Sequence, residues 1–240
     1  VKESLAALLP LVEAKSHEAW HNEFKEKYKI ELESVINDEL NPKGEGISMG
    51  ETIEMINKHS NGDAIMVSDV GQHQMFTCRY SKFNQSKSNI TSGGLGTMGF
   101  ALPAAIGAKM GQPDREVVAI IGDGGFQMTI QELGTIFQTR VPVKIVVLNN
   151  EFLGMVRQWQ QLFFDKRYAS TEMINPNFIA IAEGYYIKAK KVTKREDLDA
   201  AVAEMLASKE AYFLEVMVEK ENNVFPMIPT GASVSDIRLS

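Results

Sequence analysis

The chain of 240 residues has little cysteine, little excess charge and no long apolar run, and each shortage excludes a class of protein. Its single cysteine, Cys78, excludes an intrachain disulfide and a metal site built from several cysteines, and it fits a reducing, cytoplasmic setting. No apolar run approaches the ~20 residues that a membrane-spanning helix needs, and no secretory signal pattern is visible. Lys and Arg number 25 against 31 Asp and Glu, so the net charge of −6 argues against nucleic acid or a membrane surface as partner.

What the sequence does contain is enough apolar material for a large packed domain, since 44% of the residues are hydrophobic. The chain starts at Val1 in a helical pattern, and we expect it to be a piece of a longer polypeptide. The breaker-rich stretch Asn41–Gly46 predicts a boundary between a helical region, 1–46, and a main domain, 47–221. Residues 222–240 contain two prolines and no regular period, which predicts a lid or tail.

From residue 47 onwards, short β-branched runs alternate with helical patterns. Ser48 and Glu51 form the spacing of a capping box, which predicts a helix through about Lys58. Further helices are predicted at Thr97–Gly111, Met128–Arg140, Met155–Phe164 and Arg195–Ser208. The predicted strands are Ala64–Val70, Glu116–Asp123, Val143–Asn150, Tyr185–Val192 and Tyr212–Val218. This alternation predicts an α/β fold, a parallel sheet with helices on both faces.

Polar residues follow two of these buried runs, and their separation suits a crossover connection between parallel strands. Asp123 ends one predicted strand and Asn150 ends the next, 27 residues later, which suits a strand, a crossover helix and a return strand. Parallel strands joined in this way end at the same edge of a sheet, so the two side chains can be neighbours. Their oxygens are hard ligands of the kind Mg²⁺ binds, and the N–H groups of Gly124 and Gly125 can approach a phosphate closely.

Three other interpretations of this region compete with a metal and phosphate site. Gly-Asp-Gly-Gly and Asn-Asn are each also common as simple turns. A dinucleotide fingerprint would need a third glycine where Gln127 stands. The P-loop pattern with its lysine does not occur at this turn.

A Gly-Asp-Gly motif followed about 25 residues later by Asn-Asn resembles the motif of thiamine-diphosphate enzymes, and the surrounding sequence narrows the resemblance. The stretches VGQHQM, TSGGLGTMGFALPAAIGA, GDGGFQMTIQEL, PVKIVVLNNEFLGMVRQWQ and FPMIPTGA resemble the large catalytic subunit of acetohydroxyacid synthase (acetolactate synthase). The resemblance covers Ser48 to Leu239 and implies the pyrophosphate-binding domain of the thiamine-diphosphate-binding fold. The family's first domain and most of its middle domain have no counterpart in residues 1–46.

The resemblance implies how the diphosphate end of the cofactor is held. Asp123, the Asn150 side chain and the backbone carbonyl of Phe152 are implied to bind Mg²⁺. The segment after the first strand and the glycine turn after the second are implied to contact the diphosphate. These residues are Gly71, Gln72, His73, Gly122, Gly124 and Gly125.

The resemblance also implies a pocket for the reacting end. Met98 is implied to support the bent form of the cofactor, and the Gly96 carbonyl to meet its aminopyrimidine. Gly154, Met155 and Val156 are implied to lie near the thiazolium, with Met155 and Val156 also bordering the substrate. Trp159 is implied to shape the pocket for the second keto acid. Arg157 invites assignment as a clamp for a substrate carboxylate, which we disfavour because the family supplies that arginine from its middle domain.

The implied reaction is the decarboxylation of pyruvate and its condensation with pyruvate or 2-ketobutyrate. The products, 2-acetolactate or 2-aceto-2-hydroxybutyrate, lead to the branched-chain amino acids. Catabolic acetolactate synthase, pyruvate oxidase, glyoxylate carboligase and a non-catalytic binding module are the alternatives. The family also uses FAD, forms homodimers or tetramers, and pairs with a small regulatory subunit. Its catalytic glutamate lies in the missing first domain, so we expect the chain alone to be inactive.

Overall fold

The computed structural model describes all 240 residues and is built around a six-stranded, all-parallel sheet. The strands are β1 (Ile65–Ser68), β2 (Asn89–Thr91), β3 (Val117–Gly122), β4 (Lys144–Asn149), β5 (Lys188–Val192) and β6 (Tyr212–Met217). Their order across the sheet is β2-β1-β3-β4-β6-β5. The parallel sheet expected from the sequence is therefore confirmed, and β2 is an additional strand. At three residues on an edge, β2 is too short to give an alternating pattern.

Eleven α-helices accompany the sheet. They are α1 (Lys2–Leu8), α2 (Glu18–Glu31), α3 (Asn37–Leu40), α4 (Met49–Ser60), α5 (Gln72–Tyr80), α6 (Ala101–Gly111), α7 (Asp123–Met128), α8 (Leu133–Thr139), α9 (Gly154–Phe163), α10 (Phe178–Gly184) and α11 (Leu198–Ala207). A π-helical turn, Leu32–Ile36, joins α2 to α3, and short 3₁₀ segments occupy Leu9–Leu11, Ile130–Glu132 and Arg195–Asp197.

Two predicted helices differ from those observed. The helix predicted from Thr97 begins only at Ala101, because Gly99 has a φ of +79°, a left-handed conformation that ends any helix before it. The helix predicted over Met128–Arg140 is divided, since the backbone at Thr129 (φ −135°) leaves the helical region between α7 and the following 3₁₀ turn. Both differences lie on the edge of the sheet where the strands end.

The sheet is the middle of three layers, because its four central strands, β1, β3, β4 and β6, are buried on both faces. In β3, Val118 and Ile120 pack into one core with α4, α5 and α11. Their neighbours Ala119 and Ile121 pack into a second core with α6, α8 and α10. Side chains alternate between the faces of a strand, so a central strand with two cores must be apolar throughout. This explains the continuous apolar runs in the sequence.

The capping box predicted at the start of α4 is present. The Glu51 amide donates to Ser48 Oγ at 2.9 Å, and the Ser48 amide donates to Glu51 Oε2 at 2.9 Å. The helix ends at Asn61, which adopts the left-handed conformation typical of a helix C-terminus. The local sequence therefore determines both ends of this helix.

The first 31 residues lie outside both cores. No residue of α1 or α2 is buried, and the aromatic stripe of Trp20, Phe24 and Tyr28 is about 60% exposed, at 60%, 60% and 56%. Trp20 and Phe24 contact each other edge to face, with ring centroids 5.0 Å apart. None of the helices combines the length and hydropathy that crossing a membrane requires.

Residues 222–240 contain no helix or strand of more than a single bridge, as expected for a tail. Met227 and Arg238 pair in an isolated antiparallel bridge. The start of the tail is attached to α9, where the Val224 amide donates to Gln158 Oε1 at 2.9 Å. The tail therefore packs against the middle and the end of α9, where Gln158 also contacts Met227 and Phe163 contacts Arg238.

Candidate functional site

A cleft of about 330 Å³ opens at the carboxyl ends of β1, β3 and β4. β1 and β3 are parallel neighbours. The helix after β1, α5, packs on one face of the sheet, whereas Phe126 of α7, the helix after β3, belongs to the core on the opposite face. Where consecutive helices diverge in this way, the backbone leaves a crevice at the strand ends, the usual ligand site of open parallel sheets.

The cleft brings together all but one of the site residues predicted from the sequence. The exception is Trp159, which lies further along α9 and packs against Phe163 in a tilted arrangement, with ring centroids 4.9 Å apart. The predicted residues that border the cleft are Gly71, Gln72, His73, Gly96, Met98, Gly122, Asp123, Gly124, Gly125, Asn150, Phe152, Gly154, Met155 and Val156. Seven elements or turns contribute them, so only the fold makes them neighbours.

His73 is packed between two glycines at the floor of the cleft. A Cβ atom on Gly71 or on Gly122 would lie 2.8 Å from the ring carbon Cε1, so the ring occupies the space where both side chains would stand. Burial lowers the pKa of His73 to about 4, although the charge of Asp69 opposes the shift. The imidazole is therefore neutral at pH 7. Its Nε2 atom is buried without a hydrogen-bond partner, which leaves it free for a ligand.

Asp123 is the only acid on the cleft wall, and it is 1% exposed. Burial raises the pKa of its carboxyl group from 3.8 to about 6, against hydrogen bonds from Asn175 and from backbone amides, which lower it. The charged carboxylate is thus held at a cost in free energy. A cation placed in the cleft would offset that cost by direct attraction.

Asn150 and Phe152 supply further oxygens beside Asp123. The Asn150 side chain is buried and lies 3.4 Å from Gln72 Oε1 through its amide nitrogen. The Phe152 amide donates to Asn150 Oδ1 at 3.2 Å, while the Phe152 carbonyl accepts none of the loop and turn hydrogen bonds of the backbone. No three His, Cys, Asp or Glu side chains converge anywhere in the chain. A cation here would therefore have one carboxylate with amide and main-chain oxygens, which suits Mg²⁺ bound to phosphate and water.

Asp69 shapes the cleft but was not predicted from the sequence. It follows β1, is fully buried, and accepts hydrogen bonds from the backbone amides of Gly99 at 2.9 Å and Ala101 at 3.0 Å. Its carboxylate thereby binds the first residue of α6 and fixes the loop that carries Met98. A Cβ on Gly125 would lie 2.9 Å from Asp69 Oδ1, so that glycine also makes room for this acid. Like Asp123, Asp69 follows a buried apolar run, and this position is the feature of the sequence that could have identified it.

The two residues after Val156 hold the tail and do not line the cleft. Arg157 is fully buried and donates to the Asn222 carbonyl at 3.0 Å and to Asn223 Oδ1 at 2.8 Å. Gln72 Nε2 donates to Gln158 Oε1 and to the same Asn222 carbonyl, both at 2.8 Å. The guanidinium of Arg157 therefore binds the tail, and Arg157 does not border the cleft.

Residues 69–216 match the family model described as the C-terminal TPP binding domain of thiamine pyrophosphate enzymes. The chain belongs to the thiamine pyrophosphate enzymes. The matched range runs from Asp69, at the end of β1, into β6, so it includes every strand end that borders the cleft. Thiamine pyrophosphate is therefore the cofactor of the family to which this domain belongs.

Relatives of this thiamine pyrophosphate domain are acetolactate synthases. The chain is 43% identical over 195 residues to acetolactate synthase isozyme 2 large subunit of Escherichia coli, and the aligned region covers 81% of this chain and 36% of that protein. It is 44% identical over 191 residues to acetolactate synthase large subunit of Lactococcus lactis, covering 79% and 33%. The chain therefore spans about a third of the length of these curated relatives.

A solved structure with the same fold is a thiamine diphosphate-dependent 4-hydroxybenzoylformate decarboxylase of Rhodococcus jostii. It superposes with a TM-score of 0.68 and 27% identity over 75% of this chain and 34% of that one. The likeness agrees with the expected thiamine-diphosphate-binding fold.

Proposed function

We propose that this chain forms the diphosphate- and Mg²⁺-binding part of an acetolactate synthase. The parent enzyme would decarboxylate pyruvate and condense it with pyruvate or 2-ketobutyrate, the first common step towards branched-chain amino acids. The observation that carries the proposal is the cleft itself, where Asp123, Asn150 and the unpartnered His73 Nε2 meet at the carboxyl edge of a parallel sheet. The identity of more than 40% to acetolactate synthases favours this activity within the family.

The proposed site has a metal part, a diphosphate part and a part at the reacting end. Mg²⁺ would be held by Asp123, Asn150 and the Phe152 carbonyl oxygen. Gly71, Gln72, His73, Gly122, Gly124 and Gly125 would hold the diphosphate, and Gly96, Met98, Gly154 and Met155 the two rings. Val156 and Trp159 would join Met155 beside the substrate. Within the chain we assign 1–46 to the end of a middle domain, 47–221 to the cofactor domain and 222–240 to a lid or tail.

The residues present suit a magnesium diphosphate. The neutral His73 ring has a buried nitrogen without a partner, and the N–H groups of Gly124 and Gly125 lie in the first turn of α7, where an anion is favoured. Asp123 carries the raised pKa of a carboxylate that lacks a counter-charge. A divalent cation would supply the counter-charge that Asp123 lacks. The anionic diphosphate bound to that cation would face the His73 ring and the N–H groups of α7.

When bound, thiamine diphosphate would supply the electron sink for loss of carbon dioxide from a 2-keto acid. The chain's own residues bind and orient. Met98 is 36% exposed in the loop fixed by Asp69 and presents an apolar side chain to the cleft. Met155 and Val156 at the start of α9 cover the other wall with apolar atoms, which excludes water from that side.

We also propose properties of the parent enzyme that rest on the family alone. It would bind FAD, form a homodimer or tetramer in the cytoplasm, and associate with a small regulatory subunit. The carboxylate that acts on the pyrimidine would come from a region that this chain does not contain. The chain by itself would therefore bind the cofactor weakly and produce no acetolactate.

A chimeric enzyme tests the activity. In it, residues 48–239 would replace the matched third of the Escherichia coli relative, and acetolactate formation from pyruvate would be measured with Mg²⁺, thiamine diphosphate and FAD. We expect acetolactate from the chimera and none from a matched Asp123→Ala chimera. Oxidation of pyruvate to an acetyl product, or condensation of glyoxylate, with no acetolactate would favour pyruvate oxidase or glyoxylate carboligase. Cofactor binding without any turnover would favour the binding module.

A further inference from the structure

A single side chain donates a hydrogen bond to the Asp123 carboxylate. Its Oδ2 atom accepts a hydrogen bond from Asn175 Nδ2 at 2.7 Å, and no other side chain donates to this carboxylate. Asp123 also borders the cleft. One oxygen is therefore engaged on the protein side, which favours binding of a cation through the other.

Asn175 lies between α9 and α10, and both ends of its amide are engaged. Besides Asp123, its nitrogen donates to Asn149 Oδ1 at 3.1 Å, and its oxygen accepts from Gln127 Nε2 at 2.9 Å. A flipped amide would turn its oxygen towards the carboxylate and lose all three bonds. The neighbours therefore fix which end of Asn175 faces Asp123.

Asn149 connects this amide to a second buried acid. Its nitrogen donates to Glu215 Oε1 at 2.7 Å, and its oxygen accepts from the Glu151 amide at 3.0 Å as well as from Asn175. Glu215 is 2% exposed on β6, and Lys191 of β5 lies 3.1 Å from the same oxygen. The network thus runs from a partly exposed lysine, through a buried carboxylate and two amides, to Asp123.

The two asparagines at the end of β4 consequently have different roles. Asn150 borders the cleft, whereas Asn149 does not and is directed towards β6. Resting on the proposed function, we propose that Asn175 and Asn149 are positioning residues, anchored on Glu215, that fix the Asp123 carboxylate for Mg²⁺. They touch neither the cleft nor a ligand in it, and they act through Asp123.

The test is the affinity for Mn²⁺ or Mg²⁺ at saturating thiamine diphosphate, measured by calorimetry and by the paramagnetic signal of free Mn²⁺. Asn175→Ala should weaken metal binding by about 10–100-fold, the usual effect of losing a residue that orients a ligand. Gln127→Ala removes only the bond to the Asn175 oxygen and should weaken it by a smaller factor. Because Gln127 is only partly buried, this second variant keeps the test usable if Asn175→Ala does not fold.

Asn177→Ala is the matched control. Asn177 lies two residues away and caps α10 by accepting from the Ala180 amide at 3.1 Å, without contacting Asp123. It should lower the melting temperature while leaving metal affinity within about twofold of the parent chain. Equal metal affinity in Asn175→Ala and the parent chain would overturn the positioning role alone. The same comparison is made in the chimeric enzyme, in which the cofactor site is complete. Failure of the unsubstituted chimera to bind metal with thiamine diphosphate would overturn the proposed function, and the positioning role with it.

Discussion

Replacing Asp123 by Asn should stabilise the ligand-free chain while destroying the proposed metal site. The carboxyl group is almost fully buried, and burial raises its pKa from 3.8 to about 6. The folded state therefore binds a proton more tightly than the unfolded state does. This tighter proton binding stabilises the folded state below pH 4, and the stabilisation is lost as the pH rises through 6. At neutral pH the folded chain carries a charged group that burial penalises.

The size of the effect follows from the shift in pKa. A shift of about 2 units at roughly 1.4 kcal/mol per unit gives about 3 kcal/mol as an upper value at pH 8. At pH 5 the expected gain is about half as large, because the folded carboxyl group is then mostly protonated. Asparagine has nearly the same shape, is neutral at every pH, and keeps an oxygen that can accept from Asn175.

Denaturant unfolding of both chains at pH 5 and pH 8, without cofactor, measures this gain. Other groups that titrate in the range, such as His73, are present in both chains and cancel in the difference. Adding Mg²⁺ and thiamine diphosphate should then stabilise the parent chain by about 2.7 kcal/mol at 100 times the dissociation constant, and leave Asp123→Asn nearly unchanged. A variant that is less stable than the parent at pH 8, or a gain equal at both pH values, would refute the burial penalty.

Three further predictions concern single positions. Gly122→Ala places a methyl group about where the His73 ring lies and should cost roughly 1–3 kcal/mol by overpacking, with weaker thiamine diphosphate binding in calorimetry; unchanged binding would contradict the packing. Ser48→Ala removes the oxygen that caps the Glu51 amide and should lower the unfolding free energy by about 1 kcal/mol, whereas no change would show the cap to be dispensable. Trp159→Leu in the chimeric enzyme should lower the preference for 2-ketobutyrate over pyruvate, and equal loss of both products would indicate packing alone.

Several features of the site could be predicted because the local sequence carries them. Asp123 and Asn150 each stand where an apolar run stops, so their position at strand ends needed no tertiary information. The same signal marked Asp69, but its partners, the amides of Gly99 and Ala101, lie some thirty residues away in the chain. Asn175 gave no signal at all, since it lies in an irregular segment and acquires its role only from what it contacts.

By itself, the sequence determined the α/β class, the parallel arrangement of the strands and the edge of the sheet at which the candidate residues meet, because side-chain periodicity reports which faces are buried. The sequence also determined the capping box of α4, since its two partners are only three residues apart. Only the tertiary structure decided that β2 joins the edge of the sheet, that Arg157 binds the tail, and that Asn149 faces β6. Each of those depends on contacts between segments distant in the chain, and local patterns contain no information about which distant segments meet.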